Sequence, residues 1–178
     1  MAGYLSDEEA KRYFSSLARF SDFSDQFPYD SESDRAVAIV GPAQLDAMLH
    51  DILSSFFIAD TKEVEKLLQP NGALGAFGNR ITACYVLGLV NDVVTQDLRL
   101  VAKIRNRFAH EVSVGFEDSK IKDWVRELRW HHEAIMRAPP TDSTTRDVFQ
   151  VGVHTLVSHL SGLVGISRYS KREAVIWE

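Results

Sequence analysis

The chain has 178 residues, of which 45% are hydrophobic and 10% aromatic, which suits one domain with a sizeable core and argues against disorder. The net charge of −5 excludes binding of nucleic acid through overall charge, so an RNA contact would need a local basic patch. The single cysteine, Cys84, excludes a disulfide framework and fits a reducing compartment.

Asp7 to Phe20 reads as a helix, with Tyr13, Phe14, Leu17, Ala18 and Phe20 at mostly helical spacing and Ser6/Glu9 as a capping box. Ser21 to Ser33, rich in Ser, Asp and Phe, reads as a linker or draped arm. The first ten residues lack the basic and apolar regions of a signal peptide. From Asp34 the pattern turns strongly helical. Leu45, Met48, Leu49, Ile52, Leu53, Phe56 and Phe57 form a wide apolar stripe, and Ala36 to Val40 is apolar upstream. Gly41-Pro42 stands between the halves and predicts one kinked helix rather than two.

Asp60-Thr61-Lys62-Glu63 opens a short helix to Gln69, which Pro70-Asn71-Gly72 ends. The glycine-rich segment Gly72 to Gly78 has neither a preceding strand nor the lysine of a phosphate loop, so it reads as a tight turn. A helix follows from about Asn79 to Leu87, with Gly88 beyond its end. It contains Cys84 in an apolar run, where it reads as a core residue and not a nucleophile. Asn91 or Asp92 caps the next helix, whose inner face carries Leu98, Val101, Ala102 and Phe108. Glu117 to Met136 reads as one further helix, stopped by Pro139-Pro140. Thr145 to Val164 is the last, with Val148, Val151, Thr155, Leu156 and Leu160 inward.

Strand signals are scarce, and the expectation is an all-α, single-domain antiparallel helical bundle of about six to seven helices. The expected organisation is a helical arm and linker over residues 1–30, the bundle over 31–166, and a tail over 167–178. No apolar run in the sequence approaches the ~20 residues of a membrane helix, so a soluble, cytoplasmic protein without a membrane partner is expected.

Arg105-Asn106-Arg107-Phe108-Ala109-His110 carries the chemistry of most interest. Asn106 and His110 lie four apart on one helix face, and the long side chain of Arg105 can swing toward them. A histidine works as acid or base near neutral pH, and an arginine offers a planar fork to phosphate oxygens. Together they could cleave RNA without a metal. The histidine would take the proton of a 2′-hydroxyl that attacks the adjacent phosphorus, while Arg105 offsets the charge building there. The products would be a 2′,3′-cyclic phosphate and a 5′-hydroxyl. Acid and base are both needed, and a symmetric homodimer would supply two histidines. The structural alternative has Asn106 and His110 satisfying free carbonyls at the helix end and Arg105 paired with Asp97, Glu111 or an acid on another helix.

Arg99, Lys103 and Arg107, each four apart, form a basic ridge on the same helix that could follow an RNA backbone or simply be a solvated face. No metal site and no cofactor are expected, because no metal-binding histidine or cysteine spacing occurs. His50 with Asp46 reads as a surface pair. The helices flanking Gly88-Leu89-Val90-Asn91 have the turn of a helix-turn-helix but lack a clean base-reading face, so direct DNA binding is not expected.

Three segments together resemble the mannitol operon repressor (MltR) family. They are Ser33-Asp34-Arg35-Ala36 leading into the Leu45 to Phe57 helix, Gly75-Ala76-Phe77-Gly78-Asn79-Arg80-Ile81 through Leu87-Gly88-Leu89, and Ile104 to His110 followed by Gly115-Phe116-Glu117-Asp118. The resemblance spans about Ser31 to Arg137. It implies an all-helical regulator of transcription without a recognised DNA-binding motif, acting through protein partners or by an indirect route. Arg105-Asn106-x-x-x-His110 also resembles the signature of HEPN domains, helical bundles that include metal-independent ribonucleases active as dimers. That likeness implies catalytic roles for Arg105 and His110 and a supporting polar role for Asn106.

Overall fold

A computed structural model describes residues 33–130 and 142–173. The expected Asp7–Phe20 helix and the arm after it lie outside them, as does the end of the chain from residue 174. Six α-helices and no strand occur among the described residues: α1 Asp34–Phe56, α2 Thr61–Leu68, α3 Phe77–Val86, α4 Asp92–His110, α5 Ser119–Arg126 and α6 Thr145–Tyr169. The architecture is the expected all-α bundle.

Five of the six helices start where a short polar side chain takes an otherwise unpaired N–H, while α3 starts at Ala76 without one. Ser33, Asp60, Asn91 and Asp118 cap α1, α2, α4 and α5 in this way. Thr144 and Asp147 form a reciprocal capping box on α6. Gly88 ends α3 with φ +71°, a left-handed value that glycine adopts without steric cost. The Leu89 N–H then reaches the Cys84 carbonyl (2.8 Å) and the Gly88 N–H that of Tyr85 (2.9 Å), closing a Schellman turn. Gly72 and Gly75 form a tight turn after α2. A Cβ on Gly72 would stand 2.3 Å from the Leu67 and Lys66 carbonyl oxygens, so only glycine fits.

α1 continues unbroken through Pro42, as the apolar stripe on both sides of Gly41-Pro42 suggested. Val37, Ala38, Leu45, Leu49, Ile52 and Leu53 are essentially inaccessible. Burial of that stripe outweighs the one backbone hydrogen bond that proline removes. α1 packs chiefly against α6. At one end Arg146 Nη1 donates to Asp34 Oδ1 (3.0 Å), and at the other the Arg172 N–H donates to the Phe56 carbonyl (2.9 Å). The first and last described helices therefore run side by side in the same direction, whereas α4 runs antiparallel to α1, with Arg35 at the end of α4.

α1 and α6 have 23 and 25 residues, and an 18-residue stretch of each has mean hydropathy 1.2, apolar enough by length and composition to cross a membrane. This exceeds the expectation from the sequence. Half of that stretch in each helix is buried inside the protein, so the core itself uses that apolarity. Phe108, Phe116 and Phe149 join α4, its following loop and α6 in a run of rings with centroids 5.1 and 5.2 Å apart.

Two elements differ from expectation. The helix expected over Glu117–Met136 ends at Arg126. Its cause is Asp97, fully buried on α4, whose carboxylate accepts the Arg129 N–H (3.0 Å) and the Trp130 N–H (2.7 Å). Those N–H groups are unavailable to a continuing helix. Beyond Trp130 that expectation lies outside the described residues until 142. On α6, Val151 is 38% exposed and Thr155 half-buried, while Phe149, Val153, Leu156, Val157, Leu160 and Val164 are inside. The helix is rotated from the expected register because Phe149 takes the inward position. It also runs five residues past Val164.

Candidate functional site

α4 has one face committed to the core and one to solvent. Val94, Leu98, Val101, Ile104 and Phe108 are all fully buried. Arg99, Lys103, Asn106 and His110 stand at i, i+4, i+7 and i+11, one face of a helix, and all four are exposed. The polar stripe thus runs from Arg99 to His110, and the motif and the basic ridge share it.

Within the motif, Arg105 is half-buried and its Nη1 donates to Asn106 Oδ1 at 2.9 Å. The structure therefore brings Arg105 and Asn106 together, and it sets His110 one turn further along on the same face as Asn106. The carboxylates considered as partners of Arg105 are engaged elsewhere. Asp97 is held by backbone N–H groups, and Glu111 pairs with Arg107 at 3.3 Å. His110 makes no ion pair or hydrogen bond through its ring with the described residues.

Nor do Asn106 and His110 satisfy the carbonyls at the end of α4. Arg35, in the first turn of α1, does so instead. Its Nη1 donates to the Phe108 carbonyl, and its Nη2 donates to Glu111 O (2.7 Å) and Val112 O (2.8 Å). A guanidinium there complements the negative end of the helix dipole and fixes where His110 begins.

Arg107 departs from the expected ridge. Its side chain is only 16% exposed, pairs with Asp118 (3.1 Å) and Glu111, and lies 6.0 Å from the centre of the Trp124 ring. On the helix it turns toward α5 instead of into the exposed row, so its charge is used in joining α4 to α5.

Arg99 and Lys103 instead enter a shallow cavity of about 440 Å³ shared with Gln96, Leu100, Arg126, Glu127 and Arg129. Arg129 Nη2 donates to Gln96 Oε1 (2.7 Å), and Arg126 meets only the exposed Asp123 at 3.6 Å. Among the described residues, Arg99, Lys103 and Arg129 pair with no carboxylate. Arg126 and Arg129 were not anticipated from the sequence. The break between them re-aims the chain, and the signal for it is Asp97, on another helix.

The remaining candidates are structural. Cys84 is fully inaccessible, and burial pushes its thiol up to about 12, which leaves it inert. His50 pairs with Asp51 (3.5 Å), while the Asp46 carboxylate accepts from Arg80 Nη1 (2.7 Å). This replaces the His50–Asp46 pair. No group of three or more His, Cys, Asp or Glu residues suited to a metal occurs among the described residues.

No family model matches the chain, and no curated protein matches it. The chain is similar in structure to a chain of the X-ray structure of the MtlR–HPr complex from Escherichia coli. The two are 21% identical, with a TM-score of 0.55, over 88% of this chain and 98% of that one. The fold is thus MltR-like, in agreement with the resemblance carried by the Ser33, Gly75 and Ile104 segments.

Proposed function

We propose that this protein is an MltR-like helical regulator that acts in transcriptional control through contacts with a protein partner, not by reading DNA. The observation that carries the reading is the shared fold with a chain of the MtlR–HPr complex. A second one supports it. The start of α4, where a recognition helix would meet DNA, presents Asp92, whose carboxylate accepts from Gln96 Nε2 at 2.9 Å. An acidic residue there repels phosphates. The first test is calorimetric titration of the full chain with purified HPr, alongside footprinting on promoter DNA. Complex formation with HPr and no footprint is the expected result. A sequence-specific footprint by the protein alone would overturn the reading.

A second reading has a specific observation in its favour. Among the described residues no carboxylate meets Arg105, Asn106 or His110, and Arg35 serves the carbonyls at the end of α4 in their place, which supports a functional use of the motif. In this reading the protein is a HEPN-like metal-independent ribonuclease. Arg105 binds the scissile phosphate, Asn106 orients Arg105, and His110 moves the proton of the 2′-hydroxyl. A second copy supplies the second histidine. RNA incubated with the wild type in EDTA should yield 2′,3′-cyclic phosphate ends, and His110→Ala and Arg105→Ala should each lower the rate by a factor of ~100 or more. A strictly monomeric protein that still cleaves would refute the two-histidine arrangement.

A further inference from the structure

We infer that the cavity between α4 and the end of α5 is a binding cleft for the phosphodiester backbone of a single RNA strand, separate from the Arg105/His110 motif and leading to it. The inference deepens the second functional reading and rests on it only for the choice of RNA.

Four observations support it. The lining holds four cations and one carboxylate, a local balance of +3 in a chain of net charge −5. Three of those cations, Arg99, Lys103 and Arg129, have no carboxylate partner among the described residues, so apart from the Arg129 Nη2 held by Gln96 their donors remain available to a ligand. The cations come from two elements, α4 and the segment ending α5, and therefore flank the cavity from two sides. Finally, Asn106 and His110 lie outside the cavity but extend the exposed row of α4 on which Arg99 and Lys103 stand. From Arg99 to His110 the helix rises roughly 16 Å, the reach of an extended polyanion and not of one phosphate group.

The chemistry of the lining also sets the mode of binding. Arginine forks and a lysine suit phosphate oxygens, and no aromatic ring lines the cavity on which a base could stack. Binding is therefore through the backbone and tolerant of sequence. Phosphate contacts do not separate RNA from DNA, so a DNA strand should occupy the cleft as well, whereas only RNA offers the 2′-hydroxyl to His110.

The test uses the full chain in EDTA with fluorescein-labelled oligouridine, read by anisotropy over a range of salt. With four phosphate contacts, log affinity should fall against log salt with a slope of about −3. Arg99→Glu/Lys103→Glu should weaken binding at least ~10-fold and flatten the slope, with Arg129→Gln giving a smaller loss in the same direction. Lys62→Glu, an exposed lysine on α2, should bind within about twofold of wild type. Cleft variants that bind as tightly as wild type, or a Lys62→Glu variant that weakens as much as they do, would overturn the inference. So would displacement of the RNA by polyglutamate at equal charge, which would make the cleft a docking surface for acidic protein. His110→Ala separates the two claims. Cleft-dependent binding without cleavage by any variant upholds the cleft and removes the nuclease reading. Cleavage whose KM ignores Arg99 and Lys103 removes the cleft and keeps the nuclease.

Discussion

Arg80 and Arg99 stand on neighbouring helices, α3 and α4, in opposite surroundings. Arg80 is 8% exposed, and its guanidinium is fully engaged: Nε donates to Leu74 O (2.8 Å), Nη1 to Asp46 (2.7 Å) and Nη2 to Leu68 O (2.7 Å). It ties the glycine turn and the end of α2 to α1. Arg99 is exposed and, among the described residues, pairs with no carboxylate. Arg35 and Arg107 side with Arg80, and Lys103 and Arg129 with Arg99. The cations that hold the fold have found carbonyls and carboxylates, because a buried charge without them is costly. The cations of the cleft remain in water, where leaving them unpaired costs little. The contrast separates structural from candidate functional charge within one small bundle.

The sharpest way to break this division is to remove a buried acceptor. Asp97→Ala strands the Arg129 and Trp130 N–H groups, and roughly 3–5 kcal/mol of stability should be lost in urea denaturation. The Arg126–Arg129 side of the cleft would go with it. Arg80→Ala leaves Asp46 and two carbonyls without their donor and should cost roughly 3 kcal/mol in the same measurement. Arg35→Ala should cost a further notch less, roughly 1–2 kcal/mol, with faster amide exchange confined to the last turn of α4. At the other extreme, Arg99→Ala/Lys103→Ala should stay within about 0.5 kcal/mol of wild type. A large loss there would erase the distinction.

A smaller, pH-dependent effect tests it from the core side. His159 packs against Trp130 with ring centroids 4.4 Å apart and the planes tilted by 48°, and burial lowers its pKa from 6.5. The unfolded chain then binds the proton more readily than the folded one, so acid favours unfolding. Stability should fall as pH drops through 6.5 toward the lowered value, and His159→Gln should flatten that part of the profile.

Much of the fold was legible because its signals are local. The α1 stripe, the Asp60 and Asn91 caps and Gly88 each act within a few residues. The break after Arg126 was not legible, because the group that causes it lies about thirty residues away on α4, and an apolar period continues across the break. The register of α6 was missed for a related reason: Val151 and Phe149 both fit a helical stripe, and only packing against Phe116 decides between them. The candidate site was half legible. Arg99, Lys103, Asn106 and His110 share one helix, so their common face follows from spacing alone, and Arg105 stands one step around from it. Arg107 fitted the i+4 ridge as well, but Glu111 and Asp118 draw it toward α5. Arg126 and Arg129 join the cleft only through the break.

The side-by-side pairing of α1 with α6 has a consequence for how this chain is made. Its anchoring pair, Asp34 and Arg146, is separated by 112 positions in the sequence. Local helical contacts form quickly, but this one must wait for almost the whole domain to be synthesised. At bacterial or eukaryotic elongation rates the interval between the completion of α1 and the emergence of α6 is on the order of ten seconds. Throughout it, the apolar stripe from Val37 to Phe56 lacks its principal cover. The nascent chain is then at its most prone to aggregation, and the last helix closes the domain as well as completing it.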